Sequence, residues 1–472
     1  MTSADLRAAW RGNYAGTERQ LDRMSEVGSV VTAFNANIDA VLKVDGPSLE
    51  LLAAEVELGA DALDDAGDRR IRSPRDVVRG LCRCLAAGIA EEWLIEDEAT
   101  YAWLRRRIGY DRLQMGGQGG IVANAMAVCG VRRVLAHCAS LPADQARLFL
   151  DLPNLQSADE AGEVRAAHAI DRPDPPMIHW ILEFAHGTRA QVAGRTVECP
   201  KSNRFIATYD PLNFRLHIDP GFARAAEAAA PDYVVLSGFH MLSEALPDGT
   251  LASDRVDESL RVVRSWKAAN PACILHLEVA STQDLAVRRM VLERVASQVD
   301  SIGLNERELI DMLRAAGDDA LAGRCEREPH AGALFDGLRR VFEATGCPRV
   351  QLHFYGLYVT VQRKGFRIDP EAARRGMQLA AVVAAGKAGT GAIESREALL
   401  WAAGREVGDA GLAELAGLAS RIERGRNDLA TTGVWRGPDI DVTAVPTILI
   451  PEPVTLVGMG DTISSVSLVG AR

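Results

Sequence analysis

What the chain lacks narrows it first. Among its 472 residues are eight cysteines, Cys82, Cys84, Cys129, Cys138, Cys199, Cys273, Cys325 and Cys347, and no Cys-x-x-Cys pair. Cys82 and Cys84 stand two apart, which is neither zinc-knuckle nor thioredoxin spacing. Several cysteines sit in apolar runs, as in Ala127-Val-Cys129, so buried reduced thiols are expected. There is no run of about 18 apolar residues, and the first residues hold no apolar signal region. No membrane span is predicted, and a soluble cytoplasmic protein is expected. Positive charge is in deficit, with 53 Lys plus Arg against 64 Asp plus Glu, for a net charge of −11. That argues against bulk binding to nucleic acid or to an anionic membrane, while a local basic pocket for phosphates stays compatible with it. No Gly-x-x-x-x-Gly-Lys-Ser/Thr occurs, which argues against P-loop chemistry, and neither glycine-rich stretch satisfies the dinucleotide fingerprint. Repeats and low-complexity tracts are absent as well.

What is present is ordinary globular composition, 47% hydrophobic and 25% charged, with length for a large core. Residues 4–27 read as a helix with Trp10, Tyr14 and Leu21 on one stripe. Ser29-Val-Val-Thr-Ala-Phe34 reads as a buried strand that stops at the polar cluster Asn35-Ala-Asn37-Ile-Asp39. Such a cluster fits a ligand site beyond a strand end, and equally an Asx-turn. Met177-Ile-His-Trp-Ile-Leu-Glu-Phe184 alternates as a strand. Its period of two puts His179, Ile181 and Glu183 on one face and a wholly apolar set on the other. His179 could serve a cleft or simply the structure. From about residue 210 strands alternate with helices. Strands are expected at 233–238, 272–279 and 299–304, a hairpin around Gly356, and an alanine-rich helix over 370–388. This rhythm predicts a mostly parallel sheet covered on both faces.

Two stretches suggest chemistry. Met115-Gly-Gly-Gln-Gly-Gly-Ile-Val-Ala-Asn124 crowds glycines before a helical run, which points to close backbone approach at a helix start. Thr455-Leu-Val-Gly-Met-Gly-Asp-Thr-Ile-Ser-Ser465 puts Gly458 and Gly460 just before Asp461. A cradle of free N–H groups with a carboxylate on its rim suits phosphoryl transfer: the amides hold charge on the moving group and the carboxylate takes the acceptor's proton. The same residues fit a turn ended by an N-cap aspartate. Glu278, Glu308 and Asp461 fall near predicted strand ends, where two or three carboxylates suffice for Mg²⁺. Asn305-Glu-Arg-Glu308 also has the form of a capping box.

Seven motifs in order resemble one family: Asn35-Ala-Asn-Ile-Asp39, Gly116-Gly-Gln-Gly-Gly-Ile-Val-Ala-Asn124, Asn203-Arg-Phe-Ile206, His276-Leu-Glu278, Asn305-Glu-Arg-Glu308, His353-Phe-Tyr-Gly356 and Gly458-Met-Gly-Asp461. Their order and spacing resemble the ADP-dependent sugar kinases, glucokinases and phosphofructokinases of the ribokinase-like superfamily, from about Trp10 to Ser465. The resemblance implies a ribokinase-like large α/β domain, with a central mostly parallel sheet flanked by helices, and a smaller α+β lid. The large domain is expected at 1–37, 115–156 and 208–472, and the lid at 38–114 and 157–207. The resemblance implies Asp461 as catalytic base and Arg204 reaching from the lid to the nucleotide phosphates. It implies Asp39, Glu92, Gly116, Gly117 and His179 at the sugar, and Asn305, His353, Phe354, Ile450 and Gly460 at the nucleotide. Glu278, Glu308 and Asp461 would support Mg²⁺, with ADP as donor.

Within that family the chain looks nearer the glucokinase branch. Glu92 in Gly88-Ile-Ala-Glu-Glu92 stands where glucokinase members carry a sugar-binding glutamate, although adjacent Glu91 leaves the register open by one residue. Met177 and Asp210 stand where phosphofructokinase members place a lysine and an arginine for the 6-phosphate. A carboxylate with no lysine would repel a phosphorylated sugar. The expectation is therefore ADP plus glucose giving AMP plus glucose 6-phosphate. An ADP-dependent phosphofructokinase or bifunctional kinase is the alternative, and a non-catalytic sensor a remoter one. Neither nucleic acid nor membrane is expected as a partner, and the oligomeric state is left open between monomer and small homo-oligomer.

Overall fold

A computed structural model describes residues 3–64, 69–246, 248–282, 284–422 and 428–472. Its larger sheet has eleven strands. At its centre Val30–Ala33, Tyr233–Leu236, Ile274–Glu278, Ser301–Asn305 and Arg349–Phe354 run parallel. Beyond them Leu357–Arg363, Ile440–Pro446 and Val434–Arg436 pair antiparallel, and Leu357–Arg363 forms the expected hairpin at Gly356 with Arg349–Phe354. On the other side Val134–Ala136 and Leu155–Ala158 continue the parallel set, and Val164–Ala166 closes the edge antiparallel. The central strands are buried on both faces, in keeping with their Val-, Ile- and Leu-rich sequences. They end in Glu278, Asn305 and Phe354, so the chemistry-bearing residues gather along the carboxyl edge, where open α/β sheets bind ligands.

The smaller sheet has six strands, in the order Arg70–Ile71, Glu91–Ile95, Asn203–Tyr209, Ile178–Phe184, Asn37–Lys43 and Arg112–Gly116. Its own core holds Trp93, Trp180, Leu182, Phe184, Phe205 and Ala207, the apolar alternates of its strands. The opposite face presents Asp39, His179, Ile181, Ile206 and Thr208, set side by side by the strand register. A two-stranded ribbon, Arg189–Val192 with Arg195–Glu198, projects beside it.

Four expectations need correction. Residues 4–27 are not one helix: Ser3–Tyr14 and Thr17–Asp22 are separate, with a short 3₁₀ turn after them. The cluster after Phe34 is not a terminal turn, because Asn37 and Asp39 already lie in a strand of the smaller sheet. Residues 157–166, expected in the lid, belong to the larger sheet, since Ser157 pairs Arg165 at its edge. The smaller sheet's last strand runs to Tyr209 and its edge strand to Gly116, a little past the expected limits. All eight cysteines are free and buried, as expected.

Candidate active site

Asp461 is not an N-cap. The last helix begins at Met459, with Gly458 as its N-cap at φ 61°, so Asp461 lies in the first turn. That left-handed φ requires glycine, and a Cβ at Gly458 would stand 2.6 Å from Ile121. The Asp461 side chain does not cap its own helix. Gln118 Nε2 donates to its Oδ1 at 3.0 Å instead. Gln118 comes from the glycine-rich stretch 116–120, so the two motifs meet in space. The N–H groups of the helix's first turn have no helical partner, and the helix dipole adds positive potential there.

The glycines of 116–120 approach something nearer than a ligand. Gly119 N–H and Gly120 N–H both donate to the Asn35 carbonyl, at 2.8 and 3.3 Å. A Cβ at Gly117 would stand 2.7 Å from Asn35 Oδ1, and one at Gly116 2.1 Å from Asp39 Oδ1. These glycines let the strand Arg112–Gly116 and the helix Gln118–Val128 close onto 35–39, where the chain passes between the sheets. Asn37 Nδ2 donates to Asp39 Oδ1 at 2.8 Å, and Asn37 Oδ1 and Gln118 Oε1 are buried without a hydrogen-bond partner among the described residues. Two orphaned acceptors facing the same junction suit a hydroxylated ligand.

On the smaller sheet Glu92 and Glu91 point to opposite faces. Glu92 accepts from Thr208 Oγ1 at 2.7 Å and stands 4.0 Å from His179 Nδ1. Glu91 faces away, toward Arg83 and Trp93 Nε1. Glu92 is therefore the carboxylate beside His179. Asp210 is fully buried and sits 2.9 Å from His179 Nε2, and it also accepts from Asn213. It does not face an open site, so it meets a ligand only through His179. Burial opposes protonation of His179, but Asp210 outweighs it and carries the imidazole up to about 9. Asp39 is raised by burial, with His179 pulling the other way.

Glu278, Glu308 and Asp461 form the acidic end. Glu278 is pushed well up by burial and by the charges of Asp461 and Glu308. Burial carries Glu308 to about 8. Asn305 and Glu308 do form the capping box: Asn305 N–H donates to Glu308 Oε2 at 2.8 Å, and Asn305 Oδ1 accepts from Glu308 N–H at 3.0 Å. His276, held neutral by burial, lies 3.2 Å from Glu278 Oε2. A Cβ at Gly303 would stand 2.3 Å from that oxygen. His353 neighbours Asn305 across the sheet and would touch a Cβ at Gly460 at 2.7 Å, so Asn305, His353, Gly460 and Glu278 are contiguous. Phe354 follows, buried at the strand end, and half-buried Ile450 packs on a separate small cluster with Val382 and Ile448. Among the described residues no three His, Cys, Asp or Glu side chains converge tightly enough to hold an ion by themselves.

Like Ile450 on its separate cluster, Arg204 is an expected site residue that the structure leaves apart. It is exposed and makes no side-chain bond among the described residues, although it shares the face of Ile206 and Thr208. It stands opposite Glu183, four residues along the strand from Thr208, or roughly 13 Å.

Three residues were missed. Gln118 was quoted within its motif without a role. His240 lines the cavity that holds Glu278 and Glu308, yet it also feels Glu92, His179 and Asp210, so it links the two ends of the site. Lys387 hides in an alanine-rich helix that reads as core. Only the Gly-Gly-Gln spacing offered a signal for any of them.

A family model for the ADP-specific phosphofructokinase/glucokinase conserved region matches residues 28–470. An ADP-dependent glucose/glucosamine kinase of Pyrococcus abyssi is 31% identical over 466 residues, covering 96% of this chain and 96% of its own length. An ADP-specific phosphofructokinase of Methanosarcina acetivorans is 29% identical over 447 residues, 92% of this chain and 91% of that one. Among solved structures, the last common ancestor of ADP-dependent phosphofructokinases from Methanosarcinales superposes with a TM-score of 0.86 at 28% identity, over 100% of this chain and 99% of that one. With the sheet, the two glycine motifs and the acidic edge in place, the chain belongs to the ADP-specific phosphofructokinase/glucokinase family, the ADP-dependent sugar kinases.

Proposed function

We propose that the chain transfers the β-phosphoryl group of ADP to the 6-hydroxyl of D-glucose, giving AMP and glucose 6-phosphate. The observation that carries this reading is Asp461 at an open helix start, held by Gln118 beside the Asp39–Gly116 contact. The 6-hydroxyl oxygen attacks the β-phosphorus, the bond from that phosphorus to the bridging oxygen breaks, and AMP leaves. Asp461 takes the hydroxyl proton. Its carboxyl is raised from the usual range by burial, which Gln118 and Lys387 offset in part. A base poised upward accepts a proton more readily than a solvated carboxylate. The first-turn N–H groups and the helix dipole hold the transferring charge. Asp39, Glu92, His179, Gly116 and Gly117 orient the sugar, and Asn37 Oδ1 takes one of its hydroxyl protons as a hydrogen bond. Asn305, His353, Phe354, Ile450 and Gly460 line the nucleotide side.

Mg²⁺ would fit this donor set, because Glu278 and Glu308 are buried acids with raised pKa that pair with no Lys or Arg among the described residues. When bound, it would supply countercharge to the diphosphate. The smaller sheet acts as a lid, its domain comprising roughly 38–116 and 170–209. Closure excludes water and brings Arg204, now exposed, toward the phosphates. No described helix is long and apolar enough to cross a membrane, in keeping with a cytoplasmic enzyme.

Glucose is favoured over fructose 6-phosphate by the electrostatics. Met177 is buried in the core and supplies no cation, and Asp39 and Glu92 put two carboxylates on the face that carries His179. The second reading, fructose 6-phosphate as acceptor, has support in the phosphofructokinases among the relatives. A coupled assay crossing ADP, ATP and GDP with both sugars decides. Turnover with ADP and glucose well above all other pairs is expected. Preference for fructose 6-phosphate overturns the glucose assignment, and no turnover with either sugar overturns the kinase reading.

A further inference from the structure

Lys387 is a buried cation that no step above requires. It lies in the last turn of the helix Pro370–Thr390, only 8% exposed, where that helix packs along Met459–Val469. Its Nζ donates to the Gly458 carbonyl at 3.1 Å and to Thr462 Oγ1 at 3.2 Å. Thr462 Oγ1 in turn donates to the same carbonyl at 2.8 Å. The ammonium has three N–H groups, and these two bonds leave one without a partner among the described residues.

We propose that Lys387 is a positioning residue for phosphoryl transfer, fixing the Gly458 turn and setting a positive charge beneath the start of the last helix. This rests on Asp461 being the base in that same turn.

As a purely structural group Lys387 is poorly placed. Its charge is desolvated, which burial registers by lowering its pKa to about 8. It also sits against the N-terminal end of Met459–Val469, where the helix dipole is already positive. Its own helix offers a favourable C-terminus, but that would hold equally for an exposed lysine free to stay in water. The acid that faces it is Asp461, which is bonded to Gln118 rather than to the ammonium. No carboxylate bonds the ammonium among the described residues, and the reaction brings a second anion to its third N–H. A phosphoryl group at the first-turn N–H groups would offset the buried cation, and the cation would be worth most when charge on that group peaks. The bond to the Gly458 carbonyl acts on geometry as well. Gly458 is held at φ 61°, so whatever fixes its carbonyl also fixes which way the next N–H groups point.

The test uses the whole chain with the sugar that the wild-type enzyme phosphorylates, so a wild type without turnover indicts the functional reading and not this one. Lys387→Met keeps the length and removes the charge, Lys387→Gln keeps one donor, and Lys387→Arg keeps the charge. Turnover is expected to fall at least tenfold in the Met and Gln variants, with sugar KM within about threefold and the melting temperature unchanged or higher. The Arg variant should retain more turnover than Gln. Met-variant turnover within twofold of wild type overturns the proposal. So does an equal loss in all three with lowered melting temperatures, which is the signature of packing alone. If the Met variant does not fold, Lys387→Ala with added ethylammonium replaces it. Recovery of turnover by the amine, and not by ethanol of similar size, is expected, and equal response to both overturns the proposal.

Discussion

Gln118 Nε2 donates to Asp461 Oδ1 at 3.0 Å, across 343 residues of sequence. One oxygen of the carboxylate is thereby occupied, and the other is left for a substrate hydroxyl. The bond also fixes the carboxylate's plane, which a base in phosphoryl transfer needs. Asp461→Asn should lower kcat about 100- to 10,000-fold, the usual range for a general base, with sugar and ADP affinities little changed. Gln118→Ala should give a smaller loss in kcat. Steady-state kinetics read both, and near-normal turnover in the asparagine variant would remove Asp461 from its role.

Much of this was legible in the sequence, for definite reasons. The central strands of the larger sheet are rich in Val, Ile and Leu, and His179 and Glu183 stand out against the apolar alternates Trp180 and Leu182 that fill the smaller core. Asp461, Glu278 and Glu308 were visible because acids beside glycines and strand ends are conspicuous. The rest depends on partners far away in the chain. Nothing local says that Gly119 and Gly120 donate to Asn35, or that Lys387 meets Gly458. Asp210 could be read as a site carboxylate only because its burial is invisible in a linear string. The edge strand Val164–Ala166 is three half-buried or exposed residues, too short for periodicity to reveal.

The His179–Asp210 pair predicts a pH dependence. The folded-state imidazole is raised from 6.5 to about 9, with burial opposing the rise and Asp210 carrying it. A raised pKa means that stabilisation is complete below about pH 6.5 and is lost as pH climbs through about 9. In Asp210→Asn, burial is opposed only by Glu92 and Asp39, so the imidazole pKa should fall well below its wild-type value. Urea denaturation should find the wild type's advantage over Asp210→Asn largest near pH 6 and shrinking toward pH 9.5. An NMR titration of the ring reads the pKa directly, and a value near 6.5 in the wild type would contradict the pair.

The acidic end predicts a linked proton release. Burial holds Glu308 near 8 and Glu278 well above the usual range, so both tend to be protonated before a cation arrives. A divalent ion must displace those protons. Mg²⁺ affinity in the presence of ADP should therefore strengthen between about pH 6.5 and 8.5. Calorimetry in two buffers of different ionisation enthalpy should register proton release. Chelation with EDTA should abolish turnover, and Glu308→Gln should weaken the Mg²⁺ requirement's pH slope. Binding without proton release would place the ion elsewhere.

Gly116 gives the last prediction, because its missing side chain is forced by Asp39. A Cβ there would stand 2.1 Å from Asp39 Oδ1 and 2.4 Å from Asn37 Nδ2. Both neighbours are buried and hydrogen-bonded to each other at 2.8 Å, so neither can swing away without losing that bond. Gly116→Ala should therefore displace Asp39 from the sugar side, raising sugar KM about tenfold or more while ADP affinity holds. Overpacking at a buried junction also destabilises, by about 1–3 kcal/mol. Gly109→Ala is the control, since a Cβ there meets nothing within 4 Å. If both variants bind sugar equally well, Asp39 does not contact it, and the sugar must sit elsewhere on the face that carries His179 and Glu92.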